Sequence, residues 1–172
     1  MKKFFKKLIY VCFIIVYFFQ IKQVKSLVPY YYLPTIKNLE REGFSIGKNA
    51  YQLLYFGQYE QSLNMAKLAV KINKNDEKLW LILSETQIAN KLYKNALISL
   101  NKAKEINPKN SDTYILQSNI YLKISKLQKA KTALETALKI ESNNYKAIFQ
   151  LGNILLMEKN YSEAIKLFNQ SV

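Results

Sequence analysis

The chain lacks histidine altogether and has one cysteine, one arginine, three prolines and four glycines among its 172 residues. The first two shortages remove most enzyme chemistry. Without an imidazole, and with Cys12 inside an apolar run, there is no histidine base, no imidazole or thiolate zinc site and no thiol nucleophile outside the N-terminal segment. Any catalysis would have to run on carboxylates and lysines alone, so the expectation is no enzyme, with no catalytic residue, no metal and no cofactor. The scarcity of arginine, Arg41 alone, argues against nucleic acid, because such interfaces lean on arginine forks and stacked aromatics. Period-two alternation is also absent from residue 43 onward, which argues against β-structure.

The charge is large, +14, and almost wholly lysine. Six of those lysines, Lys2, Lys3, Lys6, Lys7, Lys22 and Lys25, belong to the N-terminal leader, which leaves +8 on residues from Ser26 onward. The leader is basic to Lys7, then apolar from Leu8 to Phe19, then polar again. Twelve apolar residues suit the core of a secretory signal and fall short of the roughly 20 a bilayer-spanning helix needs. Val24 and Ser26 form a cleavage pattern that Lys25 and the lack of alanine weaken, so residues 1–26 read either as a signal peptide or as a retained membrane anchor. Either way the expected location is exported or membrane-tethered, in the periplasm, a thylakoid or another membrane.

Residues 27–42 form a linker whose Pro29 and Pro34 bar helix until Thr35 can cap a short one, with Ile36 and Leu39 inward. Its Tyr30, Tyr31 and Tyr32 suit either a membrane surface or the open end of a helix stack.

From Gly43 the chain repeats every 34 residues without insertion, in units 43–76, 77–110, 111–144 and 145–172, the last incomplete. The eighth place holds Ala50, Ser84, Ser118 and Gly152; the twentieth Ser62, Ala96, Ala130 and Ala164; the twenty-seventh Ala69, Ala103, Ala137 and Ser171. Only 26 of 172 residues are Ala, Gly or Ser, so a ladder of twelve without exception is a packing constraint. Antiparallel helices joined by a tight turn approach closely only where no large side chain intervenes. Trp80, Tyr114 and Ile148 fill the fourth place, and Tyr59, Tyr93, Leu127 and Tyr161 the seventeenth. Gly57 and Asn160 mark turns within pairs, while Asn75-Asp76, Asn110-Ser111 and Asn143-Asn144 supply caps for the helix opening the next pair, and Pro108 stops a helix.

These residues resemble the tetratricopeptide repeat, whose signature is W-x2-L-G-x2-Y, then A-x3-F, then P, on a 34-residue period. Trp80, Leu83, Leu151-Gly152, Tyr121, Ala164-x3-Phe168 and Pro108 carry the match, and the first unit departs furthest, with Asn49 and Lys74 at signature places. The resemblance implies an all-α, right-handed solenoid of antiparallel helix pairs. Its concave groove is lined by the first helix of each pair at the second, fifth, ninth, twelfth and thirteenth places. On this chain those places offer Phe44, Tyr51, Leu54 and Tyr55; Leu81, Glu85 and Ile88; Ile115, Asn119, Leu122 and Lys123; and Phe149, Asn153, Leu156 and Met157. Such a groove is expected to be unusually apolar. Asn119 and Asn153, 34 apart, present amides able either to pair with an extended peptide or simply to face water. The carboxylate clamp of chaperone-binding members needs basic residues at the fifth and ninth places, and Leu81, Ile115 and Phe149 stand at the fifth. A chaperone C-terminus is therefore a poor ligand.

The expected function is non-enzymatic: an interaction scaffold that takes an extended peptide or helix of a protein partner. The sequence stops at Val172, inside the second helix of the fourth unit, so either the chain continues past it or a partner, a second copy included, is expected to cover Ile165, Leu167 and Phe168. The leader with VPYYYLP and GFSIGKNAYQLLYFGQYEQSL resembles small cyanobacterial and plastid-type repeat proteins, which implies an assembly or stability role at a photosynthetic membrane complex. The alternatives are an RNA-binding helical repeat, as some helical repeats read one base each, and an exported repeat protein of unrelated role.

Overall fold

Most helix starts and ends recur at the 34-residue interval. A computed structural model of the chain describes residues 36–170, with side chains from residue 40 onward. The leader 1–26, its Cys12, the tyrosines of the linker and Ser171 lie outside the described residues.

Those residues form eight α-helices and no strand: α1 Ile36–Tyr55, α2 Tyr59–Ile72, α3 Glu77–Ala89, α4 Tyr93–Ile106, α5 Ser111–Lys123, α6 Leu127–Ile140, α7 Tyr145–Met157 and α8 Tyr161–Gln170. Odd-numbered helices open the pairs. Asp76, Asn110 and Asn144 cap α3, α5 and α7, their side chains accepting from the backbone N–H of Lys78, Asp112 and Ala147. These contacts satisfy amide donors that a helix start otherwise leaves unpaired. α4 ends at Ile106, just ahead of Pro108.

The short helix from Ile36 and the first repeat helix are one continuous helix across residue 43. Gly43 and Gly47 sit inside it as contact points, since a Cβ on Gly43 would lie 3.1 Å from Asn73 Cβ and one on Gly47 would collide with Leu79.

The turn inside each pair places its fifteenth residue in the left-handed region: Gly57 at φ 74°, Lys91 at 60°, Ser125 at 57° and Lys159 at 61°. At each turn the next residue's N–H reaches back to the eleventh place, as in Gln58 to Leu53 at 2.9 Å and Lys126 to Tyr121 at 2.8 Å. This is the Schellman closure, which satisfies carbonyls orphaned at a helix end.

Each opening helix packs mainly on its own partner, and each partner on the next opening helix; α1 also touches α3, and α3 touches α5. The small ladder sits where the sequence places it. Ala50, Ser84 and Ser118 are buried, as are Ser62, Ala96, Ala130 and Ala164 and, at the third rung, Ala69, Ala103 and Ala137. Gly152 completes the eighth place against Phe168, whose ring would lie 2.6 Å from an added Cβ. The core runs as linked clusters along the stack. Leu63, Val70, Leu79 and Leu83 join the first two units, while Ile115, Leu134, Ala147 and Ile154 join the last two. The seventeenth place behaves differently along the chain: Tyr93 and Leu127 pack against clusters, whereas Tyr59 and Tyr161 are exposed at the two ends.

Candidate functional site

The four opening helices, α1, α3, α5 and α7, share one concavity of about 390 Å³. Tyr51 comes from α1, Leu81 and Glu85 from α3, Asp112, Ile115, Leu116 and Asn119 from α5, and Lys146 and Gln150 from α7. Five of the residues taken from the repeat register, Tyr51, Leu81, Glu85, Ile115 and Asn119, therefore meet at one place.

The surface they form is polar, in contrast to the apolar groove expected from the residue types. Ile115 is only 4% exposed and belongs to the core, and Leu81 and Ile88 pack against the Ala96, Leu100 and Ile120 cluster as Leu122 packs against the Ile115 cluster. What the concavity offers above that apolar floor is two carboxylates, two amides, a phenol and an ammonium group. Asp112, Lys146, Leu116 and Gln150 are the members that sequence reasoning missed. Asp112 and Lys146 occupy the second place of their units, so the register alone finds them.

Glu85 is the half-buried member of the acidic pair. Burial raises its carboxyl above the ordinary carboxylate range, the charge of Asp112 raises it further, and Lys146 pulls it back. Among the described residues neither the Glu85 nor the Asp112 carboxylate takes part in a hydrogen bond or salt bridge with a side chain or amide. Gln150 carries a buried side-chain oxygen that accepts no hydrogen bond from any described residue.

The other register residues lie outside this concavity. Phe149 lines a neighbouring one of about 350 Å³ with Tyr145, Lys146 and Gln150, and its ring centroid is 5.6 Å from that of Phe168. Asn153 and Leu54 are half-buried, Lys123 is exposed, and Phe44, Tyr55, Leu156 and Met157 are exposed apolar residues. Asn119 lines the larger concavity and Asn153 does not. No group of three acidic or thiol side chains able to hold a metal ion occurs among the described residues.

Residues 77–110 match one family model described as tetratricopeptide repeat, and residues 122–172 match another. The chain carries tetratricopeptide repeats. A curated relative, the formate-dependent nitrite reductase complex subunit NrfG of Escherichia coli O157:H7, is 25% identical over 114 residues, covering 64% of this chain. The match spans 58% of that relative's length. TTC0263, a tetratricopeptide repeat protein of Thermus thermophilus, superposes with a TM-score of 0.70 at 19% identity, over 79% of each chain. The first tetratricopeptide repeat domain of Spaghetti (RPAP3), bound to the HSP90 peptide SRMEEVD, superposes with a TM-score of 0.64 at 18% identity, over 70% of this chain and 95% of that one. At such identities the structures establish the fold, an all-α solenoid of helix pairs.

Proposed function

We propose that the protein is a non-enzymatic scaffold that holds a segment of a partner protein in the concavity shared by its four opening helices. The observation that carries this reading is the convergence of Tyr51, Glu85, Asp112, Asn119, Lys146 and Gln150, from four different helices, on one open depression. Tetratricopeptide repeats generally mediate protein–protein interaction, and the Spaghetti domain of the same fold holds a peptide.

The wider role we propose is assembly or stabilisation of a membrane complex, with the repeats exported or tethered through residues 1–26. Support comes from the apolar leader and from a relative named as a complex subunit. A photosynthetic membrane is the setting implied by the resemblance of the leader and tyrosine linker to cyanobacterial and plastid-type proteins. Photo-crosslinking groups placed at Tyr51 and Phe149, in cells, followed by mass spectrometry, test both levels. Subunits of one membrane complex are the expected partners. Recovery of soluble metabolic enzymes alone would remove the assembly role, and crosslinks restricted to faces away from Tyr51 would remove the groove.

A further inference from the structure

The polar concavity has a chemistry of its own within this basic protein. It brings Glu85 and Asp112, from consecutive opening helices, close enough for one charge to act on the other, and Lys146 is the only cation among the described residues that lines it with them. No salt bridge joins Lys146 to either carboxylate among the described residues. With both carboxylates ionised, the basin carries a formal excess of one negative charge. The buried Ile115 and the partly buried Leu81 and Leu116 line the same concavity, with the amides of Asn119 and Gln150. Gln150 also brings an acceptor, its buried side-chain oxygen, that no donor among the described residues reaches.

An apolar floor under a cluster of acceptors suits a side chain with an aliphatic stem and a cationic head. Lysine and arginine are built that way, burying the stem while the head seeks polar partners. An acidic peptide such as SRMEEVD, held by the Spaghetti domain, would bring carboxylates against Glu85 and Asp112. The volume, about 390 Å³, is at the small end of the roughly 300–1,000 Å³ of ligand pockets, so it fits one or two side chains of a longer segment. Exposed lysines elsewhere on the protein are screened over about 8 Å at physiological salt, and within the depression the half-buried Glu85 is screened less than the exposed Asp112 and Lys146.

We infer that the concavity is a specificity pocket for a lysine or arginine side chain of an extended partner segment, which Glu85 and Asp112 hold by its N–H donors beside the Gln150 amide. The inference rests on the groove reading above and adds the chemical class of the ligand. It also explains why Glu85 can be left with a raised carboxyl in the free protein. The arriving cation stabilises the ionised form, so over the range in which Glu85 titrates binding releases a proton and strengthens as pH rises. Asp112 opposes Glu85 ionisation, Lys146 favours it, and Tyr51 from α1 is the other titratable group at the site.

The test is selection of a random dodecapeptide phage library on the immobilised full chain, followed by affinity measurement on synthetic copies of the recovered peptides. The expected result is a lysine or arginine recurring at one peptide position. Its replacement by norleucine should weaken binding at least about tenfold, as should the Glu85→Gln, Asp112→Asn double variant. These amides are isosteric, and circular dichroism checks that the double variant is folded. Lys146→Gln should bind at least as tightly as the parent. Recovered peptides that are acidic or uncharged, or that bind parent and double variant equally, overturn the inference. If such peptides still crosslink to Tyr51, the groove reading survives; if no recovered peptide crosslinks there, both readings fall.

Discussion

Ser111 donates its hydroxyl proton to Glu141 Oε2 at 2.6 Å, across 30 residues of chain. The first residue of the third unit is thereby tied to the turn that ends it. The second unit makes the same closure with the roles exchanged: there the carboxylate is at the first place, and Glu77 accepts from Asn107 Nδ2 at 2.8 Å. The bond from Ser111, followed by that from Asn144, holds the Glu141 carboxyl below the ordinary carboxylate range. A depressed carboxylate contributes stability above its unfolded value, and that contribution is lost as pH falls through the folded value. Ser111→Ala should move the Glu141 titration midpoint upward, read by NMR of its side-chain carboxyl carbon. A midpoint that stays in place would show that the hydroxyl contributes nothing.

Glu85 gives the opposite sign. Its carboxyl is raised, so the folded protein binds that proton more tightly than the unfolded chain, and stability is lost as pH rises from the unfolded value through the folded one. Glu85→Gln should raise the melting temperature at about pH 7 and leave it nearly unchanged at about pH 3.5, below the ordinary glutamate value of ~4.3. Equal gains at both pH values would point to packing instead.

At the turns, Gly57 with φ 74° has nothing within 4 Å of an added Cβ, so Gly57→Ala reports backbone strain alone. A loss of about 1 kcal/mol is expected. The exposed Lys91, already at φ 60°, should respond in reverse, with Lys91→Gly neutral to about 1 kcal/mol stabilising. Urea melts of the two variants read both shifts, and a stabilising Gly57→Ala would contradict the turn geometry.

Ala130 is fully buried in the cluster that includes Leu134, Ala137 and Ala147. Ala130→Leu should overpack it by about 1–3 kcal/mol. An unchanged melting temperature would mean that this rung is not a close approach.

The ladder shows why the fold was legible in the sequence. Close approach of two backbones is a local demand that admits few side chains, so Ala50, Ala96 and Ala130 announce it wherever they recur. The caps at Asp76, Asn110 and Asn144 were legible for the same reason, because their task is performed within three residues. The left-handed turns were not, apart from Gly57, since Lys91, Ser125 and Lys159 carry no preference for that conformation and are held there by the helices they join. The site was half legible. Repeat register brought Tyr51, Glu85 and Asn119 forward, but Glu85 stands at the ninth place of one unit and Asp112 at the second of the next, and only the packing of α3 on α5 makes them neighbours. Leu81 and Ile115 line the groove as the register places them, and their apolar character also serves the core.

The amide of Asn110 works with both ends: Nδ2 donates to Glu77, and Oδ1 accepts from the Asp112 amide at 2.9 Å. An amide is also open to slow hydrolysis, which would leave an aspartate in its place. The new carboxylate would still cap α5, because an acceptor is all the cap requires. It could no longer donate, and it would face Glu77 with like charge. The first unit already has an aspartate at this place, Asp76, and tolerates it because Gly43 at its first place presents no carboxylate. Chemical ageing at Asn110 would therefore weaken the seam of the second unit, leaving Asn107 as the side-chain donor to Glu77, while the helix that follows keeps its start.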